Sequence, residues 1–387
     1  MLKLNKDIQV VFLYTLGRSG SNLLQSLLDE NEEILMIPTI IWYYFDWEFK
    51  LSKHANNPHK LIYEFIYNSS FSLDWYLDGL GIDKNEIFDL KRDNIYEKLL
   101  EVVSDTSTIN RKEFLLLFHE VYANVHNINL NTKTVLVLHH HFPINGNAYN
   151  FFTNNFTIDF KGKDLFTNAL ADFPNVKIMQ TIRHPYEVFH SRINSIIDNE
   201  ILDIKAFYNT IYSLNFSSCD ALEKKFLLKE KYKFIHYEKM HQNTKATMIE
   251  LAKFLNITYN DELLISTIGG KLWWGNNPSK PINGTNEKMA ILKWQDNLED
   301  DYKKIAQSYF KQYIVKFGYE DVQNFDSRYR NIGFIKDERN AYMKIVFETF
   351  KRFIQRKKIS KNLLFLRKYP YYRYKLFEYF KDKICLN

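Results

Sequence analysis

The segment Val10–Asp29, VVFLYTLGRSGSNLLQSLLD, joins an apolar run to a leucine-rich run through glycine, arginine and serine. The apolar run predicts a buried strand, and the spacing of the four later leucines predicts an amphipathic helix that begins at Ser21. Between them lies Gly17-Arg18-Ser19-Gly20-Ser21, where backbone N–H groups and the positive end of a helix dipole favour an anion. Two interpretations stay open at this point, namely an ordinary turn with a capping serine and an anion-binding loop.

Other segments repeat the order of strand followed by helix. Strands are predicted at Ile8–Thr15, Lys133–His139, Val176–Ile182 and Tyr232–His236. Helices are predicted at Ser21–Asp29, Pro185–Ile197 and Thr244–Leu255. This alternation is typical of an α/β protein with a central, mostly parallel sheet flanked by helices.

The remaining segments predict how the chain is divided. Residues 1–325 are expected to form one α/β domain with a helical insertion at about 38–131, and residues 326–387 a basic, aromatic-rich helical tail. The glycines, prolines and asparagines of Gly269–Gly284 predict a long ordered loop.

The composition is that of a globular chain with a large core, since 45% of its 387 residues are hydrophobic and 25% are charged. Two cysteines exclude a disulfide framework and suit a reducing compartment. The pattern contains no cleavable signal and no continuous apolar span of transmembrane length. We therefore expect a cytoplasmic protein.

The positive charge is concentrated at the carboxyl end. Ala341–Asn387 contains thirteen Lys and Arg against three acidic residues, a net charge of +10. Because the whole chain has a net charge of +6, the other residues together carry −4. The bulk of the chain is therefore not expected to bind nucleic acid. The tail has three interpretations: peripheral contact with the inner face of an anionic membrane, a helix pair packed on the catalytic domain, or a grip on an acidic glycan through Arg367–Lys375.

The Gly17–Ser21 loop differs from the loop that binds nucleoside triphosphates. That motif requires Gly-Lys followed by Ser or Thr, whereas no lysine occurs from Asp7 to Phe49. A phosphate-binding loop without this lysine points to a nucleotide that does not transfer its phosphate.

TLGRSGSNLLQSLLD resembles the 5′-phosphosulfate loop of sulfotransferases that use 3′-phosphoadenosine 5′-phosphosulfate (PAPS). Its Arg-Ser-Gly-Ser form is closest to the carbohydrate sulfotransferase branch, and it lacks the tryptophan of the cytosolic branch. The resemblance implies a P-loop-like fold, PAPS as co-substrate, 3′-phosphoadenosine 5′-phosphate (PAP) as product, and no required metal. It also implies that one set of residues binds the nucleotide's 5′ end: Gly17, Arg18, Ser19, Gly20, Ser21 and Asn22.

A second segment, VKIMQTIRHPYEVFHSRINSI at 176–196, is similar to the family's 3′-phosphate site. Arg183 follows a predicted strand at the edge where ligands bind open α/β sheets, and Ser191 follows eight residues later. On this resemblance Arg183 and Ser191 bind the 3′-phosphate. The alternative is a surface arginine and a polar helix face.

Two later segments resemble the family less specifically. Tyr237-Glu238 resembles the Tyr-Glu-Asp segment, with a structural role as the alternative. PINGTNEKMAILKWQDNL at 281–298 resembles the loop that closes over the nucleotide, with Lys280 and Lys288 as candidate phosphate contacts.

The segment VLVLHHHFPINGN at 135–147 supplies the candidate base. Strand alternation places His139 and His141 on one face and His140 on the other. His141 resembles the catalytic base of the cytosolic branch, and an imidazole titrates near neutral pH. The alternatives are a polar strand end, metal ligation by His139 with His141, and a glutamate base in Trp47–Asp89, because the carbohydrate branch often uses glutamate.

These features together predict a sulfotransferase that moves a sulfonate group from PAPS to a hydroxyl or amine of a carbohydrate or glycolipid-like acceptor. A kinase-like P-loop enzyme and a non-catalytic glycan- or membrane-binding protein with the same fold are the alternatives.

Overall fold

The structure is a computed structural model. It describes residues 3–5, 7–15, 18–72, 77–103, 108–140, 165–198, 224–275, 281–298 and 300–319. Several predicted features lie outside these residues, namely Gly17, His141, Lys280 and the basic tail.

Five parallel strands form the central sheet. Their order across the sheet is β2-β3-β1-β4-β5, so the strand that precedes the Gly17–Ser21 loop lies in the middle. The strands are β1 (Gln9–Thr15), β2 (Ile34–Met36), β3 (Val135–His140), β4 (Lys177–Ile182) and β5 (Tyr232–His236). The prediction of an α/β fold with a mostly parallel sheet is confirmed.

The three inner strands are buried along nearly their whole length on both faces, as in a parallel sheet that is covered on both sides. In β1, Leu13 pairs with His139 of β3, and Thr15 pairs with Thr181 of β4. The register therefore brings the carboxyl ends of β1, β3 and β4 to one edge of the sheet.

The predicted strands agree with the observed ones to within two residues at each end, and β5 agrees at both ends. Sequence patterning did not predict β2, because three residues are too few to show an alternation. The predicted long loop at Gly269–Gly284 is wrong at its start, where β7 (Lys271–Leu272) pairs antiparallel with β6 (Thr267–Ile268).

Helices cover the sheet and fill much of the 38–131 region. Those that precede β4 are α1 (Ser21–Leu28), α2 (Tyr43–Asp46), α3 (Pro58–Asn68), α4 (Arg92–Val103), α5 (Arg111–Val125) and α6 (Leu165–Asp172). Those that follow β4 are α7 (Pro185–Asp198), α8 (Tyr237–Gln242), α9 (Thr244–Leu255), α10 (Trp294–Asn297) and α11 (Asp300–Lys316).

The chain divides into two compact units. The first comprises Met1–Tyr149, Thr157–Ile182 and Lys225–Ala290, and it contains the whole central sheet. The second comprises Asn150–Phe156, Arg183–Lys224 and Ile291–Asn387, and its described part contains α7, α10 and α11. In the second unit, the Phe189 ring of α7 packs 5.6 Å from the Phe310 ring of α11.

In the described part of the chain, no helix combines the length and the apolar character needed to span a membrane.

Candidate nucleotide-binding residues

The Ser19 side chain lies in a buried cluster of hydroxyl groups at the carboxyl edge of the sheet. Its Oγ is 2.8 Å from Oγ1 of Thr15 at the end of β1 and 2.9 Å from Oγ1 of Thr181 near the end of β4. All three residues are at most 1% exposed. Ser19 therefore holds the loop against the ends of two neighbouring strands.

Gly20 is the capping residue immediately before helix α1, and its backbone is left-handed with φ +89°. Glycine adopts this conformation without the steric cost that a Cβ would bring. A Cβ at this position would also overlap the Tyr237 ring, with Cε2 of Tyr237 at 3.0 Å and Cε of Met240 at 3.3 Å. The loop thus lies in direct contact with α8 through the Tyr237 ring.

The amino end of α1 lacks a side-chain cap. Gly20 occupies the capping position and Ser21 is the first helical residue, so the capping residue has no side chain to accept a hydrogen bond from the backbone N–H groups. The first turn also contains no acidic residue to neutralise the helix dipole. A serine therefore does not occupy the capping position of α1, and backbone donors and positive potential at a helix amino end favour an anion.

Two polar side chains flank this helix end. Arg18 is exposed and has a left-handed backbone with φ 58°. Asn22, in the first turn of α1, has a buried Oδ1 with no hydrogen-bond partner among the described residues. A hydrogen-bond donor from a ligand would satisfy this oxygen.

The segment that carries Lys288 packs against α8 and the first residue of α9 in the same unit. The backbone N–H of Asn286 donates to Nδ1 of His241 at 3.0 Å, and the hydroxyls of Thr244 and Thr285 lie 2.6 Å apart. Lys288 is exposed on the short helical turn that follows Asn286. Because α8 also contacts Gly20, this one helix supports both Lys288 and the loop of Arg18.

One segment of the second unit begins at Arg183, directly after the last residue of β4. The Arg183 guanidinium lies 3.6 Å from the Glu187 carboxylate, and its backbone oxygen accepts a hydrogen bond from the Tyr313 hydroxyl at 3.2 Å. Ser191 lies one turn beyond Glu187 on α7 and is partly exposed. The predicted strand, arginine, proline and helix are all present in the expected order.

Glu187 connects Arg183 to the start of α10. Its Oε1 accepts hydrogen bonds from the backbone N–H groups of Lys293 and Trp294, at 2.5 and 2.8 Å. Beside it, burial and, to a smaller extent, the Arg183 charge lower the pKa of His184 to about 4. His184 is therefore neutral at pH 7, so Arg183 supplies the positive charge at this point of the chain.

The two described histidines of β3 face opposite sides of the sheet, as alternation predicts. Nδ1 of His139 lies 2.7 Å from Oε1 of Gln25 on α1, whereas the His140 ring lies 6.4 Å from the Phe12 ring. Both histidines are at most 2% exposed. In the described part of the chain, no cluster of three or more His, Cys, Asp or Glu side chains is arranged to hold a metal ion.

The structure thus brings five predicted residues together at the amino end of α1 (Arg18, Ser19, Gly20, Ser21 and Asn22), with Lys288 on the α8-supported turn and Arg183 and Ser191 in the second unit. Sequence analysis missed Thr15 and Thr181. The signal that could have found them is a threonine placed shortly before each candidate phosphate arginine, as Thr15-Leu16-Gly17-Arg18 and Thr181-Ile182-Arg183.

No protein-family model and no curated protein matches the chain. The chain is similar to solved structures of sulfotransferases. The sulfotransferase domain from the curacin biosynthetic pathway is 16% identical with a TM-score of 0.45, over 81% of this chain and 98% of that one.

The sulfotransferase domain from the Synechococcus PCC 7002 olefin synthase is 13% identical with a TM-score of 0.42, over 80% of this chain and 96% of that one. A sulfotransferase from Alicyclobacillus acidocaldarius is 10% identical with a TM-score of 0.40, over 86% of this chain and 100% of that one. At these values the likeness carries no functional argument, which rests on the chain's own residues.

Proposed function

We propose that this protein is a sulfotransferase that moves a sulfonate group from PAPS to a hydroxyl or amine of an acceptor. One observation carries the proposal, namely the amino end of α1 without a side-chain cap, bordered by Gly20 and Arg18 at the end of the central strand. Such an end offers backbone donors and positive potential to an anion. No lysine occurs in Asp7–Phe49 for phosphoryl transfer, which favours sulfonate transfer instead.

The proposed 5′ site consists of the Gly17–Asn22 loop. Arg18 supplies the positive charge, and backbone N–H groups at Gly20, Ser21 and Asn22 donate to the phosphosulfate oxygens. The residues fit an anionic ligand, because the first turn of α1 contains no carboxylate and Arg18 is exposed.

The proposed 3′ site consists of Arg183 and Ser191, and Lys288 of the first unit is proposed separately as a phosphate contact. Support comes from the position of Arg183 immediately after β4, the strand that pairs with β1. In open α/β sheets, ligands bind at this carboxyl edge. A 3′-phosphate contact would distinguish PAP from the far commoner adenosine nucleotides that lack it.

The proposed reaction is an in-line displacement at sulfur. An acceptor oxygen or nitrogen forms the new bond to sulfur as the bond between sulfur and the 5′-phosphate oxygen breaks, and PAP leaves with the electron pair. His141, outside the described residues, takes the acceptor's proton. His139 and His140, the residues before it, are both buried at the end of β3, which would hold the backbone that leads to His141 in place.

The proposed acceptor is a carbohydrate or glycoconjugate, from the resemblance of Arg18-Ser19-Gly20-Ser21 to the carbohydrate branch. A panel of sugar and non-sugar hydroxyl acceptors, assayed with radiolabelled PAPS, tests this part separately. Transfer only to non-sugar hydroxyls would overturn the acceptor class and leave sulfonate transfer standing.

The cofactor is tested by calorimetric titration of the full chain with PAP and, separately, with ATP plus magnesium. We expect PAP to bind and ATP to bind much more weakly. Tighter binding of ATP with magnesium would overturn the proposal in favour of a kinase-like enzyme.

The base is tested with His141→Ala. We expect PAP affinity to stay near that of the wild type and turnover to fall by about 10²- to 10⁴-fold, the usual contribution of a general base. Normal turnover would move the base to a carboxylate in Trp47–Asp89. His140 is not a suitable control, because its side chain is buried beside Phe12 and its loss would disturb the core.

A further inference from the structure

A chain of three buried hydroxyl groups joins the anion loop to two strands. Ser19 Oγ lies within hydrogen-bond distance of both Thr15 Oγ1 and Thr181 Oγ1, and Thr15 and Thr181 face each other as paired residues of β1 and β4. Thr181 and Ser19 are 162 residues apart in sequence. Each hydroxyl has one proton to donate, so Ser19 can accept from one threonine and donate to the other.

These two hydrogen bonds engage the Ser19 hydroxyl within the protein. With a residue exposure of 1% and two hydroxyl partners, Ser19 Oγ is directed into the protein at the strand ends. The same loop is held on another side by the contact between Gly20 and Tyr237. Ser19, which the sequence predicts as a phosphate ligand, thus anchors the loop to the ends of β1 and β4.

The backbone on both sides of Ser19 has a conformation that is energetically unfavourable for most residues. Arg18 and Gly20, the residues on either side of Ser19, both have positive φ angles, and for Arg18 this left-handed conformation is unfavourable by about 1–2 kcal/mol. A loop of this kind keeps one conformation only where its surroundings determine it. The hydrogen bonds from Ser19 to β1 and β4 help to hold the loop in this conformation.

We propose that Thr181 and Thr15 are positioning residues for the nucleotide's 5′ end, and that the Ser19 hydroxyl orients the loop without binding the nucleotide. This inference rests on the proposed function. Thr181 and Thr15 act through Ser19, by fixing where Arg18 and the amino end of α1 present their donors. Loss of either threonine hydroxyl therefore weakens contacts to the 5′-phosphate and leaves contacts to the rest of the nucleotide intact.

The measurement is the ratio of two affinities, for PAP and for adenosine 3′-monophosphate, which lacks the 5′-phosphate. Thr181→Val replaces the hydroxyl with a methyl group of similar shape, and we expect it to lower this ratio by about 3- to 10-fold, the value of one net hydrogen bond. The affinity for adenosine 3′-monophosphate alone should not change. Thr181→Ser retains the hydroxyl and should restore the ratio.

A matched control separates positioning from a general loss of stability. Thr267 is also a buried threonine of the first unit, and its hydroxyl donates to Oδ2 of Asp29 at 3.1 Å. We expect Thr267→Val to destabilise the protein without lowering the affinity ratio. An equal fall of the ratio in Thr267→Val and Thr181→Val would overturn the inference.

A double-mutant cycle tests whether Ser19 acts as an anchor or as a ligand. If Ser19 acts through Thr181, the effects of Ser19→Ala and Thr181→Val on the ratio will be strongly non-additive. Additive effects, or a fall of the ratio in Ser19→Ala with no fall in Thr181→Val, would make Ser19 a direct phosphate ligand and overturn the inference. A wild-type protein that does not bind PAP at all would instead reject the proposed function, so the two failures are distinguishable.

Discussion

Gly20 is required by both its backbone conformation and its contact with a neighbouring ring. Its φ of +89° and its contact with Tyr237 both exclude a side chain. We expect Gly20→Ala to lower the free energy of unfolding by about 1–2 kcal/mol for the left-handed backbone, and by about 1–3 kcal/mol more for the overlap. Urea unfolding measures this loss, and PAP affinity should fall with it because the loop must move.

Gly79 provides the matched control for Gly20. Its φ is +66°, and the nearest atom to an added Cβ is the backbone oxygen of Lys84 at 3.9 Å, so only the backbone cost applies. Gly79→Ala should therefore destabilise the protein less than Gly20→Ala and leave PAP affinity unchanged. Equal losses of stability would mean that the Tyr237 contact yields easily and does not hold the loop.

Arg183 is the residue on which the choice of nucleotide is expected to depend. We expect Arg183→Ala to reduce the preference for PAP over adenosine 5′-monophosphate by about 1.5–3 kcal/mol, the range for a hydrogen bond to a charged group. Arg192→Ala removes an equal charge from the same helix and should leave the preference unchanged. A wild type that binds both nucleotides equally would show that no 3′-phosphate site exists.

At the scale of elements, the β6–β7 hairpin is attached to the carboxyl end of α1 through Asp29. The Asp29 carboxylate accepts hydrogen bonds from the backbone N–H of Gly270 and the hydroxyl of Thr267, both at 3.1 Å. Burial raises the pKa of Asp29 to about 6, against the lowering effect of the hydrogen bond from Gly270. Nearby, the hydroxyls of Ser26 and Ser266 form a second link, at 2.5 Å.

This raised pKa predicts how stability depends on pH. Because the folded protein binds the Asp29 proton more tightly than the unfolded chain, the contribution is fully present below about pH 4 and is lost as pH rises through about 6. Asp29→Asn should abolish this part of the pH dependence and raise the free energy of unfolding at pH 7 by about 1–3 kcal/mol. Glu30→Gln removes a neighbouring negative charge that helps to raise the pKa of Asp29, so it should reduce this pH dependence without abolishing it. A lower stability of Asp29→Asn at pH 7 would show that the charged carboxylate holds the hairpin.

At the scale of the whole molecule, the charge of the candidate phosphate contacts predicts the response to salt. Arg18, Arg183 and Lys288 are cationic, so we expect PAP affinity to fall by about an order of magnitude between low and high salt, as screening weakens charge-assisted bonds. Addition of a chelator should leave PAP affinity unchanged, since no metal is part of the proposed site. Affinity that depends on magnesium would contradict the proposal.

The sequence by itself determined the elements whose signal is local. The strand–loop–helix order at Val10–Asp29, the full extent of β5, and the bounds of α9 at Thr244–Leu255 follow from apolar spacing over a few residues. The position of the candidate anion loop follows in the same way, because glycine and serine interrupt the apolar pattern there. These features depend on residues that are neighbours in the chain, so the amino-acid sequence alone is sufficient to predict them.

Only the tertiary structure decided what the loop's side chains contact. Ser19 reaches Thr181 across 162 residues, and Tyr237 packs on Gly20, because the parallel register places the ends of β1 and β4 side by side and α8 follows β5 directly. Parallel strands are joined by long crossovers, so residues that meet at a sheet edge carry no local sign of one another. The sequence predicts Ser19 as a phosphate ligand, and only the structure shows that its side chain is buried between two threonine hydroxyls.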